Sequence, residues 1–235
     1  MSASEATQPL RNAAHIWRFS LVLPHREVTV FNDWLDSRGI ALLERMASSD
    51  ERSRRIVAWG SLRRVLSRYL GCSPGDIQLR REPFGRPELV HPSNAGVQFS
   101  LSHSGNLGLV GVATNAIGVD IEKISAAKDV ERISRRFYSG DEAERLYGLP
   151  DAEKTQEFFR LWVLKEAYLK TVGGGVPSGL SQCSFSLDAQ GPRILSSEFE
   201  CLDSGPTLAE IPVAKGYVAA VAVLQPSVEV SVFDL

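Results

Sequence analysis

A chain of 235 residues with 43% hydrophobic side chains is long enough to bury a core as one large domain or two small ones. Its 26 basic and 28 acidic residues leave a net charge of −2, which argues against a global nucleic-acid or membrane-surface binder; any polyanion must be held by a local cluster. Cys72, Cys183 and Cys201 are odd in number and widely spaced, so they frame neither a disulfide scaffold nor a structural zinc site, and a reducing, cytoplasmic setting is expected.

No leader pattern is read in the first residues, where Arg18 interrupts the apolar stretch. The first predicted element is a strand in "HIWRFSLVL". Helical periodicity is then expected from Asp33 to Leu70, with Ile56, Trp59, Leu62, Val65, Leu66 and Tyr69 near a 3.6-residue repeat and Gly71 as the C-terminal cap. Strands follow in "IQLRRE", "VQFSLSHS", "LGLVGVAT" and "IGVDIEKI", and the turns "SGN" and "TNA" predict consecutive antiparallel pairing. A helical region from Lys128 to Tyr147 precedes the helix of "FFRLWVLKEAYLKTVGGG". The chain closes with strands in "SQCSFSL", "PRILSSEFE" and "YVAAVAVL", the last too short to span a bilayer, which takes about 20 apolar residues. This order predicts an α+β protein in two halves, residues 1–115 and 116–235.

Four groups of residues carry chemistry. Alternation in "IGVDIEKI" sets Gly118, Asp120 and Glu122 on the face opposite Ile117, Val119 and Ile121. Two carboxylates side by side repel unless a cation joins them, and a hard ion such as Mg²⁺ accepts such oxygens; the bland reading is a solvated acidic strand face. On the "FFRLWVLKEAYLK" helix, Trp162, Glu166 and Lys170 fall at i, i+4 and i+8 amid apolar residues, either a stripe in need of a partner or a surface Glu166–Lys170 pair. In "FSLSHSG", Ser100 and Ser102 share a face and His103 ends the strand, groups suited to phosphate. No G-x-S-x-G elbow supports a serine nucleophile, and the three glycines at 173–175 are a cap and turn rather than a nucleotide fingerprint. Arg86 sits in a Gly-Arg-Pro turn, and Arg54, Arg55, Arg63 and Arg64 lie on one helix, where only some can face a ligand.

The wording and order of these segments resemble the 4′-phosphopantetheinyl transferases of the Sfp type. That family's G-[KR]-P turn, F-x-[IL]-S-H-S strand, G-[IV]-D-[IL]-E strand and W-x-x-K-E-[AS]-[YF]-x-K helix stand here as Gly85–Pro87, Phe99–Ser104, Gly118–Glu122 and Trp162–Lys170. The resemblance covers about residues 50–187 and implies two pseudo-symmetric α+β halves with the active site between them. It implies Mg²⁺ (or Mn²⁺) on Asp120, Glu122 and Glu166, with Lys170 on the coenzyme A pyrophosphate and Glu166 or a metal-bound water taking the serine proton. Arg54, Arg86, Ser102 and His103 would hold coenzyme A, and Lys165 would help on its pantetheine or phosphate side. The implied reaction moves 4′-phosphopantetheine from coenzyme A to a serine of apo acyl or peptidyl carrier proteins of non-ribosomal peptide, polyketide or fatty-acid synthases, releasing adenosine 3′,5′-bisphosphate. The two-half reading favours a monomer, since one chain would already build the whole site, and the charge balance predicts no nucleic-acid or membrane partner.

One departure concerns the 3′-phosphate, for which the family often has further basic residues upstream; here Arg38 or Arg45 substitutes, or the group is held less tightly. For an acidic carrier helix the best-suited face is "ERISRRFYSGDE", with Arg132, Arg135, Arg136, Phe137 and Tyr138. Two other readings stand beside this one: a metal-dependent phosphodiesterase or nuclease, disfavoured by the lack of a basic face, and an inactive carrier-binding module, disfavoured by the presence of all three carboxylates.

Overall fold

The computed structural model describes residues 12–36, 40, 43–81, 87–93, 96–125, 129–173, 179–199 and 205–235. The chain is α+β and divides into two compact units between Thr114 and Asn115, with Ser231–Leu235 returning to the first.

In the first unit, β1 (Ala13–Ser20) is buried on both faces along most of its length and takes a central place in a sheet ordered β11-β1-β5-β4, where β4 is Gln98–Ser104, β5 is Leu107–Ala113 and β11 is Glu229–Asp234. The β4–β5 pair is the hairpin predicted from "SGN", in register from Gln98↔Ala113 to Ser104↔Leu107. The pairing predicted across "TNA" is not formed. The other edge of β5 is taken by β1, from Ala14↔Ala113 to Ser20↔Leu107, and the chain leaves this sheet at Thr114. A short antiparallel pair, β2 (Gln78–Arg81) and β3 (Pro87–His91), completes the strands described in this unit.

Among the described residues, two α-helices of this unit have both ends defined. α1 (His25–Asp33) places Asp33 at a helix end, where the periodicity reading had put a start; Pro24 at the cap position and Glu27 in the first turn mark the true beginning. α2 (Ser49–Leu70) is N-capped by the Ser48 side chain, which accepts from Glu51 N, and is closed by Gly71 at φ 65°, a left-handed conformation that glycine adopts without a Cβ clash. Its apolar face buries Val57, Leu62, Val65 and Leu66 completely. Tyr69, at the last turn, accepts from Trp17 Nε1 at 2.8 Å and meets His15 Nδ1 at 2.9 Å. Burial pushes the Tyr69 phenol up to about 12, against the opposing pull of the Trp17 hydrogen bond and the nearby Arg68.

The second unit is built on a sheet ordered β6-β10-β9, with β6 (Ile117–Lys123), β9 (Thr207–Glu210) and β10 (Tyr217–Val223). β10 lies antiparallel to β6, from Tyr217↔Lys123 to Val223↔Ile117. The region predicted as helical from Lys128 to Tyr147 holds two helices among the described residues, α3 (Val130–Phe137) and α4 (Gly140–Tyr147). The break is written in Ser139-x-x-Glu142, a capping box in which Ser139 Oγ accepts from Glu142 N and Glu142 accepts from Ser139 N. α5 (Asp151–Val172) packs across β6 and β10 and ends at Gly173, φ 70°. A 3₁₀ turn, Leu180–Gln182, leads into the hairpin of β7 (Cys183–Asp188) and β8 (Gly191–Ser197).

Candidate active site

The second unit brings the acidic strand and the KE helix together. β6 is buried along almost its whole length, so its acidic residues do not form a solvated face: Asp120 is only 4% exposed. A buried carboxylate demands a counter-charge, since moving an unpaired ion out of water costs several kcal/mol, of order 5 even after relaxation. Lys170 supplies it. Its ammonium donates to Asp120 Oδ1 at 2.7 Å and to the Val119 carbonyl at 2.9 Å, tying the last turns of α5 to the middle of β6.

Gly118 makes this approach possible. A Cβ there would stand 1.9 Å from the Ala167 carbonyl oxygen and 2.9 Å from Lys170 Cβ. Only a residue without a side chain lets the backbone of α5 lie against β6 at the turn that carries Lys170. Along that helix the exposure pattern follows the sequence stripe: Trp162, Glu166 and Lys170 are half-buried while residues 163–165 and 167–169 are buried. The stripe therefore belongs to an accessible face, and Lys170 pairs across to the strand, which sets aside a solvated helix-surface pair as the whole account of it.

The expected three-carboxylate cluster is not drawn together. Among the described residues no three His, Cys, Asp or Glu side chains converge closely enough to hold a metal ion. Asp120 already faces a cation in Lys170, and like charges on Glu122 and Glu166 disfavour gathering around it. As a donor set the three remain suited to a hard divalent ion, being oxygen ligands carried by two elements packed on one another.

Lys165 departs from its expected role. Its side chain is fully buried and ion-paired with Glu142 at 2.8 Å, and it also donates to the carbonyls of Leu180, at 2.7 Å, and Cys183. Fully buried, held by two carbonyls and facing a carboxylate, the Lys165 ammonium is not presented to pantetheine or phosphate in this geometry. Sequence reasoning missed Glu142 altogether. The S-x-x-E pattern of the capping box was the available signal.

In the first unit, Ser102 is buried and His103 exposed at the end of β4, and Arg54 is half-buried on α2. Arg45 is exposed, while Arg86 and Arg38 lie outside the described residues. On α3, Arg132, Arg135 and Arg136 are exposed and Phe137 half-buried, but Tyr138 is turned inward, 5% exposed, and donates to the Phe158 carbonyl at 2.7 Å. Among the described residues no helix is long and apolar enough to cross a membrane.

A model of the 4′-phosphopantetheinyl transferase superfamily matches residues 116–222, the stretch from β6 through α5 to β10. The chain is 37% identical over 169 residues to the 4′-phosphopantetheinyl transferase HetI of Nostoc sp. (strain PCC 7120), an alignment spanning 71% of each protein. It is 30% identical over 166 residues to the 4′-phosphopantetheinyl transferase Sfp of Bacillus subtilis (strain 168), spanning 70% of this chain and 71% of that one. A crystal structure of a holo-(acyl-carrier-protein) synthase from Bacillus anthracis aligns with a TM-score of 0.39 at 24% identity, over 46% of this chain and 94% of that one. The chain belongs to the 4′-phosphopantetheinyl transferases, enzymes that move the 4′-phosphopantetheine group of coenzyme A onto carrier proteins.

Proposed function

We propose that this transferase works on the serine of apo acyl or peptidyl carrier proteins in the cytoplasm, as a monomer, with a divalent cation held by Asp120, Glu122 and Glu166. The observation that carries the site assignment is the buried Asp120 paired with Lys170, inside the segment matched to the family. Mg²⁺ or Mn²⁺ bound there would neutralise charge on the pyrophosphate of coenzyme A. Holding it requires the three carboxylates to converge, which they do not do in this structure.

The chain's own residues would act as follows. The hydroxyl oxygen of the carrier serine attacks the β-phosphorus of coenzyme A; a new P–O bond forms, the bond to the bridging oxygen breaks, and adenosine 3′,5′-bisphosphate leaves. Glu166, on the accessible stripe of α5, accepts the serine proton. Lys170 presents an ammonium to the pyrophosphate oxygens, and Asp120 holds that ammonium in place. Arg54, Ser102, His103 and Arg86 are assigned to the phosphates and adenosine end of coenzyme A. The exposed Arg132, Arg135 and Arg136 on α3 suit an acidic carrier surface.

The test is intact-protein mass spectrometry of an apo carrier protein incubated with this protein and coenzyme A, with Mg²⁺ or with EDTA. A gain of about 340 Da, one phosphopantetheine, with Mg²⁺ and none with EDTA supports the reading. An equal gain in EDTA removes the metal from it, and no gain on any of several carriers removes the carrier assignment.

A further inference from the structure

Outside the proposed site, the Glu142–Lys165 pair is a buried and well-partnered ion pair. Both side chains are 0% exposed. Glu142 Oε1 accepts from Phe185 N at 2.9 Å, and Oε2 accepts from Ser139 N at 2.9 Å and Ser139 Oγ at 3.1 Å. Lys165 reaches the carbonyls of Leu180 and Cys183, with its Nζ 5.2 Å from the Tyr138 ring centroid and 5.8 Å from that of Phe185. One ion pair thus fastens the N-terminus of α4, the 3₁₀ turn and the start of β7 to a single turn of α5.

The surroundings do not call for charge. Phe158, Leu164, Tyr168, Leu180 and Phe185 pack this region, and an apolar pair of similar volume would fill it without desolvating two ions. What charge adds is direction. Apolar contacts let a helix roll or slide at small cost, whereas an ammonium with three fixed acceptors defines one orientation.

That orientation bears on the site. Lys165 immediately precedes Glu166, and Lys170 follows five residues on, about 140° around the helix and about 7.5 Å along it. The helix is therefore anchored by charge on two faces, to Glu142 on one and to Asp120 and Val119 on the other. Two such anchors fix both roll and slide of the turn that carries Glu166. The Tyr138 phenol, which packs on Lys165, also lies within the field of Glu166: burial, then Glu142, Glu166 and Glu157, hold its pKa well above the ordinary value.

We infer that Glu142 and Lys165 are positioning residues for the transfer reaction, holding α5 in the roll that seats Lys170 on Asp120 and sets the turn that carries Glu166. This rests on the proposed roles of those three residues. The test is the double variant Glu142→Gln/Lys165→Met, which removes both buried charges together and leaves no lone ion behind. Far-UV circular dichroism reports its fold, electron paramagnetic resonance its Mn²⁺ affinity, and steady-state assays its kcat and its KM for coenzyme A.

The expected result is a folded protein with kcat and Mn²⁺ affinity each lowered about 10- to 100-fold, the scale of a misplaced catalytic group, and a coenzyme A KM within about twofold of the parent. A folded double variant with parental kcat and Mn²⁺ affinity overturns the inference. A double variant that does not fold also overturns it, because the pair would then serve stability alone. Failure of the metal reading shows separately, as a parent protein that binds no Mn²⁺ and transfers in EDTA; the kcat comparison still judges the pair.

Discussion

α2 in the first unit and α5 in the second are each 22 residues long, and each is closed by a left-handed glycine, Gly71 or Gly173. They bury charge in opposite ways. Lys165 of α5 has a carboxylate at 2.8 Å and two carbonyl acceptors. Among the described residues, Arg63 of α2, 2% exposed, has a long approach of 3.8 Å to Asp36 and a Trp59 ring 5.9 Å away, and its Nε and Nη1 find no hydrogen-bond acceptor. Burial accordingly draws the Arg63 pKa below its usual value, with Asp36 opposing. A buried charge that is fully partnered defines a conformation; one that is partly partnered is tolerated by it.

The sharpest way to break this comparison is to remove one partner from each helix. Lys165→Met leaves Glu142 buried without its cation and should cost about 3–5 kcal/mol, read as a shift in the urea midpoint. A loss below about 1 kcal/mol would mean that Glu142 is readily rehydrated or protonated. Gly118→Ala comes next: a methyl 1.9 Å from the Ala167 carbonyl forces α5 away from β6. About 3 kcal/mol is expected, with transfer activity falling alongside, because Lys170 is displaced with the helix. An unchanged midpoint would show that the two elements separate freely there.

Tyr69 gives a smaller, pH-dependent effect in the first unit. Its folded pKa of about 12 lies above the unfolded value of 10.0, so its contribution is whole below pH 10 and is lost as pH rises toward 12. About 2–3 kcal/mol should disappear over that window, and Tyr69→Phe should flatten the slope while losing about 1 kcal/mol at neutral pH with the hydrogen bond from Trp17. Urea titrations on both sides of pH 10 decide it; an equal alkaline slope in the variant would place the titration elsewhere. The smallest effect is expected from Arg63→Met, between no change and a gain of about 1 kcal/mol, since two of its buried nitrogens have no acceptor among the described residues. A large loss would show that the Asp36 contact matters more than its 3.8 Å length suggests.

The same contrast explains what could be read from the sequence. The stripe of Trp162, Glu166 and Lys170 is a property of helical spacing, and it appears in the structure as the half-buried line among buried neighbours. The order of the four motifs carried the family. The burial of Asp120 was not legible, because alternation alone cannot tell whether the second face of a strand meets water or a helix. Nor was the fate of Lys165: it adjoins Glu166 in the motif, and its partner Glu142 lies on another helix, reached only in three dimensions. The "TNA" turn misled for a similar reason. Local turn chemistry signals a reversal of the chain, but β1 had already taken the free edge of β5.

The central claim is that the strand-and-helix site around Asp120 carries the transfer. The most direct measurement compares Asp120→Ala with the parent in the Mg²⁺-supported labelling of an apo carrier, read by intact mass, after circular dichroism has shown both to be folded. A loss of about 100- to 1000-fold or more in labelling rate is predicted, since the variant removes a proposed metal ligand and frees Lys170 from its anchor. Labelling by the variant at close to the parental rate would contradict the assignment and move the chemistry away from β6 and α5.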